Sequence, residues 1–253
     1  MLQNPLHQLL RRTLVPVFAL AASALLNATT LGRIEVACAV CSAKSEQTVI
    51  GSTNTMGAPD LDLRPAEMQR STMEFWVQEC PHCGYCAGDL AQGTPAAAAV
   101  VKSPAYQTQL KNPSFPPLAK RFLCAMLVSD QSGRIESAIR SAHCAAWACD
   151  DAEKPAEAKH SRTLVRERLQ KLKAEGKSLY NQKGADAVLL SDLARRCEDF
   201  DAAIASAREG LALNPEGIVA AVLAFEIQLA EQKDARCHTL GEIPEPAPAK
   251  SES

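Results

Sequence analysis

The chain has 253 residues, of which 47% are hydrophobic, 4% aromatic and 22% charged. That length is sufficient for one large domain, or for two small domains with tails. The formal net charge of −2, together with the lack of a long Lys/Arg run, excludes a basic stripe for a nucleic-acid partner. Ten cysteines are many for such a chain but too few for a disulfide scaffold.

Residues 1–28 have the order of a secretory signal. A polar start ends in Arg11 and Arg12, residues 13–26 carry no charge, and small residues suitable for a signal peptidase lie at the end of this stretch. The apolar stretch is short for a membrane helix, and Pro16 weakens it further. We predict a signal peptide over 1–28, an exported, periplasmic mature chain and no stable membrane span in it. A buried or amphipathic N-terminal helix of a cytoplasmic protein is the alternative.

Two CxxC pairs lie in the first third of the chain, with 38 residues between them. Two such pairs are the ligand pattern of a structural zinc site, in which two knuckles supply four thiolates to one tetrahedral metal. Gly84, after the second pair, allows the positive φ that a knuckle needs, whereas Ser42, after the first pair, fits this role less well. We therefore predict zinc as the cofactor. Its predicted ligands are Cys38, Cys41, Cys80 and Cys83.

The residues around the two pairs predict short strands. Residues 33–38 alternate as a strand does, 47–50 are a candidate returning strand, and 74–80 lead into the second pair. The order strand, knuckle, strand, loop, strand, knuckle is that of a zinc ribbon, whose core is too small to fold without metal. We predict a zinc-ribbon-like β domain at 31–92.

The second pair is also compatible with a redox site. Thiol oxidoreductases place a CxxC at the start of a helix, where the helix dipole lowers the pKa of the first thiol. Against this interpretation, Gly84 is poor for continuing a helix, and the first CxxC pair would have no role. An exported thiol–disulfide oxidoreductase, with Cys80 as nucleophile and Cys83 as resolving cysteine, remains the alternative to a zinc site.

From residue 118 onward the apolar spacing is helical. An alanine run and several prolines predict a connector at 93–117, and apolar stripes with steps of three and four predict helices around 135–149 and 165–172. We predict a helical domain at 118–240. The segment 241–253 is rich in Pro, Glu and Ser, which predicts a disordered tail.

Residues 199–215 match the second helix and exit turn of a tetratricopeptide unit. Phe200 takes the aromatic position, Ala203 the small position where two helices cross, and Pro215 ends the helix. Residues 186–197 would be the partner helix, with Leu190 at its large apolar position, and residues 218–229 would form a cap. The helical domain is therefore predicted to contain tetratricopeptide-like hairpins.

A polar loop lies between the two CxxC pairs. Two carboxylates at i and i+2 beside an arginine could bind a cation or a polar ligand, while an Asp–Arg turn that braces a long loop is the alternative. The residues of this possible ligand-binding loop are Asn54, Asp60, Asp62 and Arg64.

Four segments together resemble a bacterial family, the domain of unknown function 2225. They are the first CxxC pair, the DLDLRP stretch at 60–65, the WVQECPHCGY stretch at 76–85 and the AAWACDD stretch at 145–151. The similarity covers roughly residues 34–235. It implies a zinc-ribbon-like part followed by tetratricopeptide-like helices, and it implies no catalytic activity.

The predicted fold class is therefore α+β and mostly α, with a small zinc-ribbon-like β domain followed by tetratricopeptide-like helical hairpins. The leading functional hypothesis is a non-enzymatic, zinc-binding adaptor or scaffold. Its helical surface would engage a protein or peptide partner, because stacked helical hairpins present an extended binding surface.

Overall fold

The structure is a computed structural model that describes residues 29–244. The predicted signal peptide and the tail from residue 245 onward lie outside the described residues. Residues 29–244 contain nine α-helices and two small antiparallel sheets of two strands each. The prediction of a mostly helical chain with a small β part that carries the cysteine pairs is confirmed.

Each sheet is a hairpin with one CxxC pair at its tip. Strand β1 (Thr30–Ala37) pairs with β2 (Lys44–Ser52), and Ala37 lies opposite Lys44 beside the first pair. Strand β3 (Gln78–Glu79) pairs with β4 (Cys86–Ala87) beside the second pair. Antiparallel pairing therefore fixes both ends of each knuckle.

The predicted strand at 74–80 is wrong over most of its length. Met73–Phe75 form a 3₁₀ turn, and only Gln78–Glu79 are extended and paired. The backbone turns because the amide of Phe75 donates to the carbonyl of Thr72 at 2.9 Å and that of Trp76 donates to Met73 at 3.1 Å. Alternation of apolar residues alone did not distinguish this turn from a strand.

The segment 93–117, predicted as a connector, contains two helices, the second of which contacts the second hairpin. These two helices are α2 (Ala97–Lys102) and α3 (Pro104–Lys111). The short helix α1 (Glu67–Arg70) lies earlier in the chain. The hydroxyl of Tyr106 on α3 is buried and donates to the carbonyl of Gly84 at 2.8 Å. The segment is thus part of the folded core rather than an open linker.

Three longer helices follow and pack in sequence order. They are α4 (Pro117–Gln131), α5 (Ile135–Asp151) and α6 (Pro155–Ala174). The predicted stripe on α5 is buried at Ile139, Ala142 and Cys149, and the stripe on α6 is buried at Val165 and Leu169. These periodic patterns are confirmed, because each faces a neighbouring helix.

The last three helices form a second group. They are α7 (Ala185–Arg195), α8 (Phe200–Ala212) and α9 (Ile218–Glu231), and each contacts the other two. Ala203 is fully buried between helices, as its predicted position requires, whereas Leu190 and Phe200 are half-buried. The specific tetratricopeptide assignment remains a prediction. A 3₁₀ turn at Leu240–Glu242 begins the predicted tail.

The β part that carries the cysteine pairs shares one hydrophobic core with the helices. Buried side chains of the hairpins, such as Val36 and Tyr85, belong to the same cluster as Phe122 on α4 and Leu169 on α6. The β part is therefore not an isolated ribbon with its own small core. Among residues 29–244, no helix combines the length and the apolar character that crossing a membrane requires.

Candidate metal centre and the DLDLRP loop

The two knuckles repeat the same backbone pattern. In the first, the amide of Cys38 donates to the carbonyl of Ala43 at 2.9 Å; in the second, the amide of Cys80 donates to Tyr85 at 2.8 Å. The acceptor lies five positions after the donor in both cases. Each loop is thereby closed into a tight turn that directs both of its cysteine side chains to the same side.

The four cysteine Sγ atoms converge. All of them lie within 4.8 Å of one another, and the pairs Cys38–Cys83 and Cys41–Cys80, each joining the two knuckles, are both 3.7 Å apart. Zinc–sulfur bonds of about 2.3 Å in a tetrahedron require sulfur–sulfur separations of about 3.8 Å. The donor set therefore fits a tetrahedral metal, and the separations are far longer than a disulfide bond of about 2 Å.

The environment of the thiols differs across the cluster. Cys38 and Cys80 are buried, Cys83 is half-buried and Cys41 is exposed. Burial raises the pKa of Cys38 and of Cys83. Burial also acts to raise the pKa of Cys80, but hydrogen bonds from the amides of Cys83 and His82 outweigh it and lower that pKa.

The six cysteines outside the two CxxC pairs are buried in all but one case. All six are free thiols. Five of them are buried, and they are Cys86, Cys124, Cys144, Cys149 and Cys197. Cys237 is exposed. The described residues thus offer one cluster of three or more potential metal ligands, the four-cysteine cluster.

The charged side chains of the DLDLRP loop are buried rather than exposed. Asp60, Asp62 and Arg64 are 2%, 1% and 4% exposed. The backbone amide of Asp60 is also paired within the loop, since it donates to the carbonyl of Arg64 at 2.9 Å. The loop also pairs with the chain near its C-terminal end, where the amide of Leu61 donates to the carbonyl of His238 at 2.8 Å.

Asp62 is the most highly coordinated side chain of the loop. Its Oδ2 accepts from Trp147 Nε1 at 2.7 Å and lies 3.1 Å from His143 Nε2, both on α5. Its Oδ1 accepts from the Arg64 amide at 3.1 Å, and Arg196 Nη1 lies 3.6 Å from Oδ2. Burial acts to raise the pKa of Asp62, but His143, Arg196 and Trp147 outweigh it and hold that pKa far below its usual range.

The remaining loop residues also have protein partners. Arg64 Nη2 donates to Asp151 Oδ1 at 2.5 Å, and Arg70 Nη2 donates to Asp60 Oδ1 at 2.8 Å. Asn54 lies apart from these groups, because its Oδ1 accepts from the Met56 amide at 2.7 Å in a local turn. The structure therefore brings three of the four predicted loop residues together and leaves Asn54 out.

No family model matches the chain, and comparisons with curated proteins and with solved structures return no significant match. The resemblance to the domain of unknown function 2225 therefore remains a prediction from the sequence.

Two residues of the Asp62 network were missed by the sequence reasoning. His143 lies one helical turn before Trp147 on α5, so a search for polar residues spaced four apart on one helix face would have found it. Arg196 directly follows α7 and shows no comparable signal. Arg196 belongs to the network only because the DLDLRP loop lies against the end of α7 in the folded chain.

Proposed function

We propose that this protein is a non-enzymatic scaffold in which one zinc ion, bound by four thiolates, fixes two β-hairpins against a helical body. The helical body would engage a protein or peptide partner. The observation that carries the proposal is the convergence of the four cysteine Sγ atoms within 4.8 Å, from two knuckles with the same hydrogen bonds.

A structural role for the metal follows from its ligand set. Catalytic zinc keeps an open position for water or substrate, whereas four thiolates complete the tetrahedron. Tetrathiolate sites contribute directly to folding, because the metal binds the folded arrangement only. Since Cys38 and Cys80 belong to the core shared with the helices, metal binding would support the whole body and not only the hairpins.

The geometry at the second pair does not favour the redox alternative. The chain after Cys83 continues into Gly84, with a φ of 73°, and then into strand β4. A helix that starts at the CxxC, which lowers the pKa of a redox-active thiol, is therefore not formed here. Cys80 is also 0% exposed, so a substrate disulfide would have no direct access to it.

A partner surface is supported by exposed apolar side chains around the last helices. Leu63 is 47% exposed and Ile218 is 52% exposed. Both border a groove of about 380 Å³ that is also lined by Val188 and Val222. Exposed apolar grooves of this kind are typical of protein-binding surfaces.

Native mass spectrometry of the protein, purified without added metal, tests the proposal. We expect one zinc ion per chain, retained until a chelator is added. Cys41→Ser should abolish retention, and Cys237→Ser should not; both cysteines are exposed, so neither change buries a new hydroxyl. A wild-type chain without metal, or equal retention in both variants, would contradict a zinc scaffold. The same spectra of protein from its native compartment report whether residues 1–28 are removed, which tests the proposed export.

A further inference from the structure

A second concave site lies beside the DLDLRP loop. It is a cleft of about 570 Å³ between this loop, helix α5 and the segment around Tyr180. That volume is within the range of small-ligand and peptide-side-chain pockets. The two tryptophans of the chain, Trp76 and Trp147, both line it. The cleft is distinct from the four-cysteine cluster, none of whose members lines it.

One face of α5 provides the chemistry of the cleft. Glu136, Arg140 and His143 follow one another at steps of four and three, and Trp147 continues the row. Residues with this spacing lie on the same side of a helix. This face of α5 therefore presents a carboxylate, a guanidinium, an imidazole and an indole to the cleft.

His143 is a buried imidazole with one nitrogen engaged. It is 6% exposed, and its Nε2 lies 3.1 Å from Asp62 Oδ2. Because Asp62 is ionised and accepts only, Nε2 is the donor in this contact. Nδ1 has no hydrogen-bond partner among residues 29–244. In the neutral ring, Nδ1 is then an acceptor whose orientation is fixed by Asp62.

Arg140 supplies positive charge at the edge of the same cleft. Its side chain is exposed and makes no ion pair with any other residue that the structure describes. Glu136 lies one turn away on the same face, and its carboxylate is beyond ion-pair distance of Arg140. The negative charge of Asp62 is already balanced by Arg196 and hydrogen bonds, so Arg140 is the cation available to a ligand.

The walls of the cleft are apolar and continue into the neighbouring groove. Ile139 and Leu189 line the cleft, and Leu63 and Tyr180 line both the cleft and the groove of about 380 Å³. Leu63 is exposed and has a φ of 66°, a conformation that costs a residue with a Cβ about 1–2 kcal/mol. The buried hydrogen bonds of Asp60 and Arg64 keep this leucine at the junction of the two spaces.

We propose that this cleft binds the carboxyl-terminal residue of a peptide whose last side chain is apolar. The terminal carboxylate would pair with Arg140, the last amide N–H would donate to His143 Nδ1, and the side chain would pack between Leu63 and the tryptophans. The residues before it would extend along the apolar groove. This inference rests on the proposed scaffold function and names the chemistry of its partner.

A carboxylate, a nearby N–H donor and an apolar group are found together at every peptide C-terminus that ends in an apolar residue. Arginine binds a carboxylate through two parallel hydrogen bonds, and such charge-assisted bonds are stronger than neutral ones. A free N-acylated amino acid carries the same three groups. The length of the combined cleft and groove favours the peptide, because a single residue would leave the groove beside Val222 empty.

Intrinsic fluorescence reports this binding directly, because both tryptophans line the cleft. The probe is an acetylated tripeptide that ends in leucine with a free carboxylate, titrated into the zinc-bound full chain. Its C-terminal amide is the matched probe without the charge, and N-acetyl-leucine is the single-residue probe. We expect the amide and the single residue each to bind roughly tenfold more weakly than the tripeptide, or worse.

Two arginine variants complete the test. Arg140→Gln should weaken the tripeptide roughly tenfold or more. Arg134→Gln removes the same charge from an exposed arginine that does not line the cleft, and it should leave the affinity unchanged. Equal binding of tripeptide and amide, or an unchanged affinity in Arg140→Gln, would overturn the inference. Equal binding of N-acetyl-leucine and tripeptide would overturn the peptide as the ligand.

The result of the peptide-binding experiment can be distinguished from the result of the zinc-retention experiment. Arg140 is exposed and lies outside the cysteine cluster, so its variant should retain one zinc per chain. A chain that retains zinc but shows no fluorescence change with the tripeptide contradicts the cleft inference alone. A chain that binds the tripeptide but contains no zinc contradicts the scaffold proposal alone.

Discussion

Ser42 and Gly84 hold the same left-handed conformation at the same position of the two knuckles. Their φ angles are 62° and 73°, and the amide of each donates to the carbonyl of the first cysteine of its knuckle at 2.8 Å. The knuckle therefore requires a positive φ after its second cysteine, whichever residue stands there. Glycine adopts this conformation freely, whereas serine adopts it at a cost.

Exchanging these residues should shift stability in opposite directions. We expect Ser42→Gly to raise the free energy of unfolding of the zinc-bound chain by up to about 1 kcal/mol, after the entropy that glycine loses on folding is counted. Gly84→Ser should lower it by more, because the new Cβ would also lie 2.5 Å from Leu110 Cδ2. Urea unfolding at saturating zinc measures both. A loss of stability in Ser42→Gly would contradict this account.

Asp62→Asn should destabilise the protein by about 3 kcal/mol or more, because removing one partner of a buried charge network leaves the others unpaired. In the wild type, the carboxylate accepts hydrogen bonds from the N–H groups of Trp147 and His143. The amide group of asparagine would face these donors instead. Asp201→Asn is the matched control, since Asp201 is exposed on α8. Thermal unfolding compares the two, and an Asp62→Asn variant as stable as the control would show that the network contributes nothing.

The pH dependence of the free energy of unfolding should reflect the ionisation of the Glu226 carboxyl. Burial raises the pKa of Glu226 to about 8, and Asp192 acts in the same direction against the hydrogen bonds from Arg195. A carboxyl whose pKa is higher in the folded state binds its proton more tightly there. Stability should therefore fall as the pH rises from about 4.5, the ordinary value, to about 8, and level off above it.

Measurements of the free energy of unfolding between pH 6 and 9, where the thiolates still retain zinc, test whether stability falls as the pH rises. Glu226→Gln, which resembles the protonated side chain, should flatten the profile. Glu231→Gln, an exposed position at the end of the same helix, should leave the wild-type slope unchanged. A wild-type chain that becomes more stable over this range would contradict the raised pKa.

Gly210 allows α7, α8 and α9 to approach closely. A Cβ at this position would lie 2.6 Å from Ala187 Cβ and 2.9 Å from Leu223 Cδ1. Gly210→Ala should therefore cost about 1–3 kcal/mol through overpacking, although alanine in a helix is otherwise favoured over glycine. Adding Ala187→Gly should recover part of the loss in a denaturant titration. A single variant more stable than wild type would mean that the three helices separate without cost.

Much of the fold was predictable because its signals are local. The CxxC spacing indicated a shared four-cysteine cluster, and the stripes at Ile139, Ala142 and Val165 indicated which helix faces are buried. The strand expected at 74–80 failed for the opposite reason. Its alternation is compatible with a turn, and only the hydrogen bonds from Phe75 and Trp76 to preceding carbonyls decide between the two.

By itself, the sequence determined the candidate ligands, the helical character and the amphipathic faces, since each depends on residues a few positions apart. The tertiary structure decided what the DLDLRP loop does. Asp62 finds its partners 81 and 85 residues away, at His143 and Trp147, because burial makes an unpaired carboxylate too costly. Those contacts exclude the loop's carboxylates from solvent and create the cleft beside them. Such a site depends on how helices pack together, and no local pattern encodes it.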